Sequence, residues 1–311
     1  MDDARPSWST VGPHDGPGEE LRPGDAPAGV PEPGDERPHP PLTVPHWEES
    51  WSFQFTAAAG HLAGAVALRL RPAERRAWWW THVVGPDRAL VAVREHDLAL
   101  PRHPGLELRG PGLWAELTCE IPLDHWSVGL EAFGLAFDDP ARALGDERGD
   151  PVAVGLDLGW EGTGPCRSRG GGPAYAQPCE VHGQVLVGSE RHDVDGLGTR
   201  AHRWGRRHWW RESGAAVAGV LDDGTWLDTR LGVDAAPSLT VEVAGASVLG
   251  ADLEVPGLGL LGVEPLAQAP VAIPGGPFDA RADLLRAWCR LLDPATRAPR
   301  GWAWLTDLRH R

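Results

Sequence analysis

The sequence predicts an all-β protein of two stacked sheet domains, and three features predict it. Short apolar-rich segments recur with turn signals every ~8–12 residues, the texture of sandwiches and barrels. Alternation of apolar and polar residues, the period of a half-buried strand, marks Leu113 to Ile121, Ser238 to Ala244 and Gly301 to Leu308. The 311 residues are 41% hydrophobic and 23% charged, enough for a sizeable core, and the length suggests two domains.

Taken in order, residues 1 to about 45 are rich in Pro, Gly, Asp and Glu, as in Pro31-Glu32-Pro33-Gly34-Asp35-Glu36. Such a segment buries too little apolar surface to offset its ordering entropy, so a disordered acidic tail is expected there. From Trp47 the texture changes. Ala77 to Val84 and Ala89 to Val93 flank Gly85-Pro86-Asp87-Arg88, which reads as strand, turn, strand. Trp126 to Phe137 and Val152 to Trp160 are further strands. Gly162 to Pro173 holds five Gly and two Pro in twelve residues and reads as the domain boundary, giving domains at 46–168 and 169–311. Tyr175 to Val187 reads as a long strand in which Gly183 suggests a bulge. Val217 to Leu221 and Thr225 to Leu231 form a hairpin about Asp222-Asp223-Gly224. One segment stays open between two readings. Leu284, Leu285, Trp288, Leu291 and Leu292 fall at helical spacing, so Ala280 to Leu292 is an amphipathic helix by periodicity or a strand before the last hairpin.

Composition excludes several functions. The formal net charge is -15, from 44 acidic and 29 basic residues, and a charge of that sign repels phosphate backbones and anionic lipid surfaces. Nucleic acid is not an expected partner. All 29 basic residues are Arg, which removes any Schiff-base lysine. No run of ~18 apolar residues exists, so no integral membrane association is expected. Met1 to Pro6 has neither a basic nor an apolar leader region, so a cytoplasmic protein with four reduced thiols is expected. The aromatic balance is unusual: 16 Trp, 5 Phe and one Tyr. Either indoles line a cavity for an apolar ligand, or a GC-rich coding sequence favours the Trp codon.

The densest chemistry lies in Arg200-Ala201-His202-Arg203-Trp204-Gly205-Arg206-Arg207-His208-Trp209-Trp210. On a strand, Arg200, His202, Trp204, Arg206, His208 and Trp210 share one face, and Ala201, Arg203, Arg207 and Trp209 the other, unless Gly205 resets the phase. A face of His, Trp and Arg suits a ligand with an apolar body and a polar end. The plainer alternative is an edge strand kept soluble by Arg. A His beside a carboxylate in an apolar setting makes an acid–base pair, because burial and charge pairing move both towards neutrality. His202 with Glu180 or Asp195 is the expected catalytic set. Cys179-x-x-His182 with His192, His202 and His208 supplies only one tight ligand pair, so no metal is expected. Gly155-Leu156-Asp157-Leu158-Gly159 lacks a Gly-Lys-Ser/Thr ending, and Gly196-Leu197-Gly198 does not precede a helix, so no nucleotide cofactor is expected either.

Tyr175-Ala176-Gln177-Pro178-Cys179-Glu180-Val181-His182-Gly183, followed by Val194 to Trp210, resembles the hydroxyneurosporene synthase (carotenoid 1,2-hydratase)/AttH-like group, and within it the uncharacterised bacterial members with paired domains of unknown function. That group's pattern runs Gly-x-Gly-x-Arg-Asp-His-Ser-Trp-Gly-x-Arg-Asp-Trp. The resemblance covers about residues 46 to 311 and implies tandem lipocalin-like β-barrel or sandwich domains. It implies acid-assisted hydration, isomerisation or cyclisation of an isoprenoid-like substrate, chemistry that needs a dry pocket, an acid and π-faces for a carbocation. This chain departs from the pattern at Ala201, where the group has Asp, at Arg203 and at His208. Under the resemblance His202 is the acid–base group. Arg200 or Arg207 binds a polar end, Trp79, Trp114, Trp126, Trp204 and Trp209 line the cavity, and Tyr175 and His208 complete the binding set. A non-catalytic carrier or sensor of an apolar small molecule is the alternative, favoured by Ala201.

Overall fold

Along Trp47–Ala57, Trp51, Phe53 and Phe55 stand two residues apart on one face of the strand, and each is 1% exposed. That face looks into a continuous apolar core shared with Trp79, Trp126 and Trp160. Burying each such side chain contributes about 1.5–3 kcal/mol, which sets the register of the strand.

The protein is described by a computed structural model covering residues 7–10, 30–102, 105–145, 148–170, 173–231, 237–275 and 280–310. It is all-β. Among the described residues the only helical elements are short 3-10 turns at Pro33–Glu36, Pro72–Glu74 and Pro140–Leu144. No helix among them is long and apolar enough to cross a membrane.

Eleven strands form one antiparallel sheet. Eight of them close into a ring: Trp47–Ala57, Ala63–Arg71, Arg76–Val84, Leu90–Ala99, His125–Phe137, Asp150–Gly162, Ala174–Val187 and Glu190–Arg206, the last pairing again with the first. Leu113–Ile121 and Leu106–Gly110 extend from His125–Phe137, and Arg167–Ser168 joins Ala174–Val187. A ring of about eight strands is just wide enough to be filled by side chains or to take one small ligand. The second sheet has nine strands and runs from Ser7–Thr10 through Ser238–Ala244, Ser247–Val255, Gly259–Gln268, Ala282–Leu292, Pro299–His310 and Gly214–Leu221 to Trp226–Asp228, with Val271–Ile273 beside Ala282–Leu292. It has its own core, with Val217, Leu253, Leu285 and Leu305 at its centre.

The strands and the Asp-Gly hairpin read from the sequence are present; Gly224 turns that hairpin at φ +82° and the Asp223 carboxylate accepts from the Thr225 N–H at 2.8 Å. Three expectations need correction, and one open reading is settled. Of the two readings of Ala280 to Leu292 the strand holds, as Ala282–Leu292: it is buried at every position but Arg290, so apolar residues fill consecutive positions and imitate helical spacing. The break at 168/169 does not follow the sheets, because Ala174–Val187 and Glu190–Arg206 complete the first ring. The compact units are Leu21–Asp138 with Arg148–His208, and Asp139–Glu147 with Trp209–Arg311 and the Ser7–Thr10 strand. The glycine-rich stretch after Gly162 is a connection inside the ring, where the Gln177 side-chain amide donates to the Gly164 carbonyl at 2.8 Å. Of the expected tail, residues 1–6 and 11–29 lie outside the described residues. The part from 30 to 45 carries the Pro33–Glu36 turn, and Glu36 is buried.

Gly183 is the third correction. The pairing of Ala174–Val187 with Glu190–Arg206 runs past it with no shift of register, so it marks no bulge. It has φ +134°, and a Cβ there would stand 2.0 Å from the Asp157 carbonyl oxygen. The residue is Gly because the neighbouring backbone leaves no room. Gly183→Ala is expected to lower stability by about 2–3 kcal/mol, read as a reduced urea midpoint at unchanged slope.

Candidate functional site

His202 enters the ring through strand parity. On Glu190–Arg206 the even positions Val194, Gly198, Arg200 and His202 face inward, and Trp51 pairs directly with His202 across the strand. The imidazole is 1% exposed and stacks on the Trp51 indole, ring centroids 4.4 Å apart and 19° from parallel. Tyr175, the partner of His202 on the other side, is also fully buried. Glu49, two residues before Trp51, faces inward as well.

Two carboxylates converge here from one short stretch and one strand. Glu36 closes the Pro33–Glu36 turn. Its Oε1 accepts from an Arg200 Nη at 2.6 Å and the Leu123 N–H at 2.8 Å. Its Oε2 accepts from the Tyr175 hydroxyl at 2.7 Å, the Trp126 Nε1–H at 3.1 Å and the other Arg200 Nη at 3.1 Å. Five donors saturate this carboxylate. Arg200 Nε donates to Gln177 at 2.8 Å, and Gln177 in turn donates to the Leu123 carbonyl at 2.7 Å. Burial alone would push the Glu36 carboxyl up, but the Arg200 charge and these hydrogen bonds hold it below the ordinary glutamate range. Burial and the facing Glu36 charge push the Tyr175 phenol up, so it stays a hydroxyl donor.

The second carboxylate sits between two histidines. Glu49 Oε1 is 2.7 Å from His39 Nδ1 and 2.9 Å from His202 Nε2. Both Glu49 oxygens also accept from the His39 backbone N–H, each at 3.0 Å. Burial opposes the charge on Glu49, but hydrogen bonds from His202 and His39 outweigh it and hold the carboxyl low. With Glu49 ionised and accepting only, His202 Nε2 and His39 Nδ1 are the protonated nitrogens, an assignment made from the network. His202 Nδ1 then meets the Tyr175 hydroxyl at 3.3 Å. The chain of contacts runs His39–Glu49–His202–Tyr175–Glu36–Arg200.

His39, Glu49 and His202 offer three ligand atoms within 4.8 Å of one another, the one such group among the described residues. A transition metal needs a common point about 2.0–2.2 Å from each ligand atom. Here the Glu49 oxygen itself occupies the middle, at hydrogen-bond distance from both nitrogens, so the trio is arranged to share protons rather than to ligate. Thiol chemistry is equally disfavoured: burial pushes Cys166 up to about 11 and Cys179 up to about 12.

Residues 32–241 match a protein family described as "Domain of unknown function (DUF7064)". The chain belongs to the DUF7064 family. No curated protein matches it. Among solved structures, it is similar to a Nitrosomonas europaea protein assigned to AttH (NE1406), at 12% identity over 87% of this chain and 97% of that one, TM-score 0.43. It is similar to kievitone hydratase from Nectria haematococca, at 10% identity over 84% and 88%, TM-score 0.46. CghA matches at 11% identity over 85% and 88%, TM-score 0.42.

In this DUF7064 chain the site expected from sequence is partly assembled. His202, Tyr175, Arg200 and Trp204 come together, with Trp204 stacked on His39 at 3.9 Å. Trp126 reaches the same network through Glu36, whereas Trp79 lies in the ring core and donates to Thr81 at 3.0 Å. Glu180 and Asp195 are not partners of His202. Both are exposed, Asp195 with 89% of its side chain, and both face His182 outside the ring at 3.8 and 3.4 Å. The reason is the pleat: Asp195 and His202 are seven residues apart on one strand, so they point to opposite faces. Trp114 likewise faces outward, over Gly129, because Leu113, Ala115 and Leu117 face inward. Arg207 and His208 gather at His46 instead, through the Arg207 N–H to the His46 carbonyl at 2.9 Å and a 4.9 Å ring contact. Trp209 falls in the other compact unit.

Glu36, His39 and Glu49 were not legible as site residues, because two of them sit in a stretch with the composition of a tail. Two signals point to them. Glu49 breaks the apolar face of Trp51, Phe53 and Phe55, and a carboxylate on such a face needs partners. His39 lies between Pro38 and Pro40, which restrict its backbone.

Breaking the Glu36–Arg200 pair leaves a buried guanidinium uncompensated. Glu36→Gln is expected to cost about 3–5 kcal/mol in denaturant unfolding at neutral pH. Both carboxyls have folded-state values below their unfolded ones, so their stabilisation is present above the ordinary glutamate range and is lost as pH falls through the folded values. The wild-type chain should therefore lose stability steeply in acid, and Glu36→Gln with Glu49→Gln should flatten that dependence.

Proposed function

We propose that the protein is an acid–base enzyme that transforms an apolar, isoprenoid-like small molecule by hydration, isomerisation or cyclisation. The observation that carries this reading is the Glu49 carboxylate held between His39 and His202 at 2.7 and 2.9 Å. Each of these reactions begins by placing a proton on an unsaturated carbon, and none requires an electron donor. Two imidazoles joined through an ionised carboxylate can take up a proton and release it without a cofactor. The aromatic surroundings support an apolar substrate, since Trp51 and Trp204 stack on the two histidines. We place the activity in the cytoplasm, on a free small molecule rather than on nucleic acid or a membrane, in keeping with the -15 charge.

A carrier or sensor of an apolar molecule is the second reading. It draws on Ala201, which stands where the resembled pattern has an acid. Against it, Ala201 pairs with Ser52 and Ala176 on the face of the strand opposite His202, so its side chain is not a member of the His202 network.

Incubating the protein with a panel of prenyl and polyene compounds, with binding and product both measured, separates the readings. Turnover that falls about 10²–10⁴-fold in Glu49→Gln and His202→Asn, with binding retained, is the expected result. Tight binding without product in the wild-type chain would establish the carrier, and failure to bind any apolar compound would remove both.

A further inference from the structure

We infer that the group which hands the proton to the substrate is His39, and that His202, the strand residue, positions it. The inference rests on the acid–base reading above and assigns the role within it. Both ring nitrogens of His202 are engaged, Nε2 with Glu49 at 2.9 Å and Nδ1 with Tyr175 at 3.3 Å. Its side chain is 1% exposed. A proton on either nitrogen reaches a ligand only after a buried hydrogen bond is broken.

His39 is placed differently. Its Nδ1 is spent on Glu49, and its backbone N–H is held by the same carboxylate. Its Nε2 makes no hydrogen bond among the described residues; the nearest acid oxygen, Asp35 Oδ1, is 3.7 Å away, beyond bonding distance. The side chain is 21% exposed, and Asp35 beside it is 32% exposed. The ring lies flat against Trp204, 13° from parallel, so its free edge is aimed by packing rather than left to rotate. Within the chain of contacts that begins at Arg200, His39 Nε2 is the end that meets a ligand.

The chemistry this edge suits is protonation of a neutral alkene. The acid is His39 as imidazolium, with Nδ1–H donated to Glu49: the Nε2–H bond breaks and the π pair forms a C–H bond, leaving a neutral imidazole and a cation on the adjacent carbon. Water adds its oxygen there, and the proton it sheds returns to Nε2, so alkene and water give an alcohol with no net change in the enzyme. The Asp35 carboxylate and the Trp204 indole face are the nearby groups that stabilise the positive charge.

The test uses the full chain and farnesol as an alkene probe in D₂O, with mass spectrometry reading water addition and deuterium incorporation on carbon. His39→Gln, whose amide can still donate to Glu49, is expected to lose at least ~100-fold in kcat with KM little changed. His39→Ala should regain turnover when imidazole is added, and His202→Ala, at a buried position, should not. Circular dichroism and thermal unfolding verify that each variant is folded. Turnover by His39→Gln within about threefold of wild type, or imidazole rescue of His202→Ala alone, would overturn the assignment while leaving the acid–base reading in place. Absence of any reaction by the wild-type chain across farnesol and the prenyl panel would remove that reading and this assignment together.

Discussion

The Glu36–Arg200 ion pair is the interaction on which the buried polar network of the ring depends. It joins two residues 164 positions apart, one from the Pro33–Glu36 turn and one from the strand that seals the ring. Taking both charges out of water costs several kcal/mol per ion, and the attraction between them repays this only if every remaining lone pair and proton is satisfied. Here it is: Leu123, Tyr175 and Trp126 complete the carboxylate, and Gln177 completes the guanidinium. The pair therefore does more than attach a turn. It fixes the orientation of the Tyr175 hydroxyl and, through it, of the His202 ring.

Glu36 and Glu49, buried in one network, are thus given different work by their neighbours. Glu36 faces a cation that never loses its proton, so its charge is permanently balanced. Glu49 faces two imidazoles, whose protonation can change, so its balancing charge is movable. Pairs of titratable groups placed in contrasting environments are the usual way a fold separates a structural charge from a reactive one. Tyr175 lies between the two systems and remains a hydroxyl, its one proton donated to Glu36 and its oxygen 3.3 Å from His202 Nδ1.

The resembled motif takes on a physical meaning in this setting. Arg200, His202 and Trp204 alternate along one strand and all face the network, while Ala201 and Arg203 alternate with them on the other face. Replacement of the pattern's acid by Ala201 therefore removes nothing that His202 touches. The acids that serve His202 come from outside the motif: Glu49 pairs with it directly, and Glu36 acts on it through Tyr175.

The sequence by itself determined what depends on neighbours a few residues away. Strand alternation, the Asp222-Asp223-Gly224 turn and the shared face of Arg200, His202 and Trp204 are all set by a two-residue period and local turn chemistry. That same period separates Asp195 from His202. Only the tertiary structure decided which strands meet, since ring closure depends on pairings such as Glu190–Arg206 with Trp47–Ala57, and on that pairing rests the 153-residue contact of His202 with Glu49. It also decided that Ala282–Leu292 is a strand, because coverage of both faces erases the alternation that would have marked it. Glu36 and His39 were hidden for the same reason: a short Pro-rich stretch has no core of its own, and acquires a place only when a closed ring offers it a buried Arg200 and a buried Glu49.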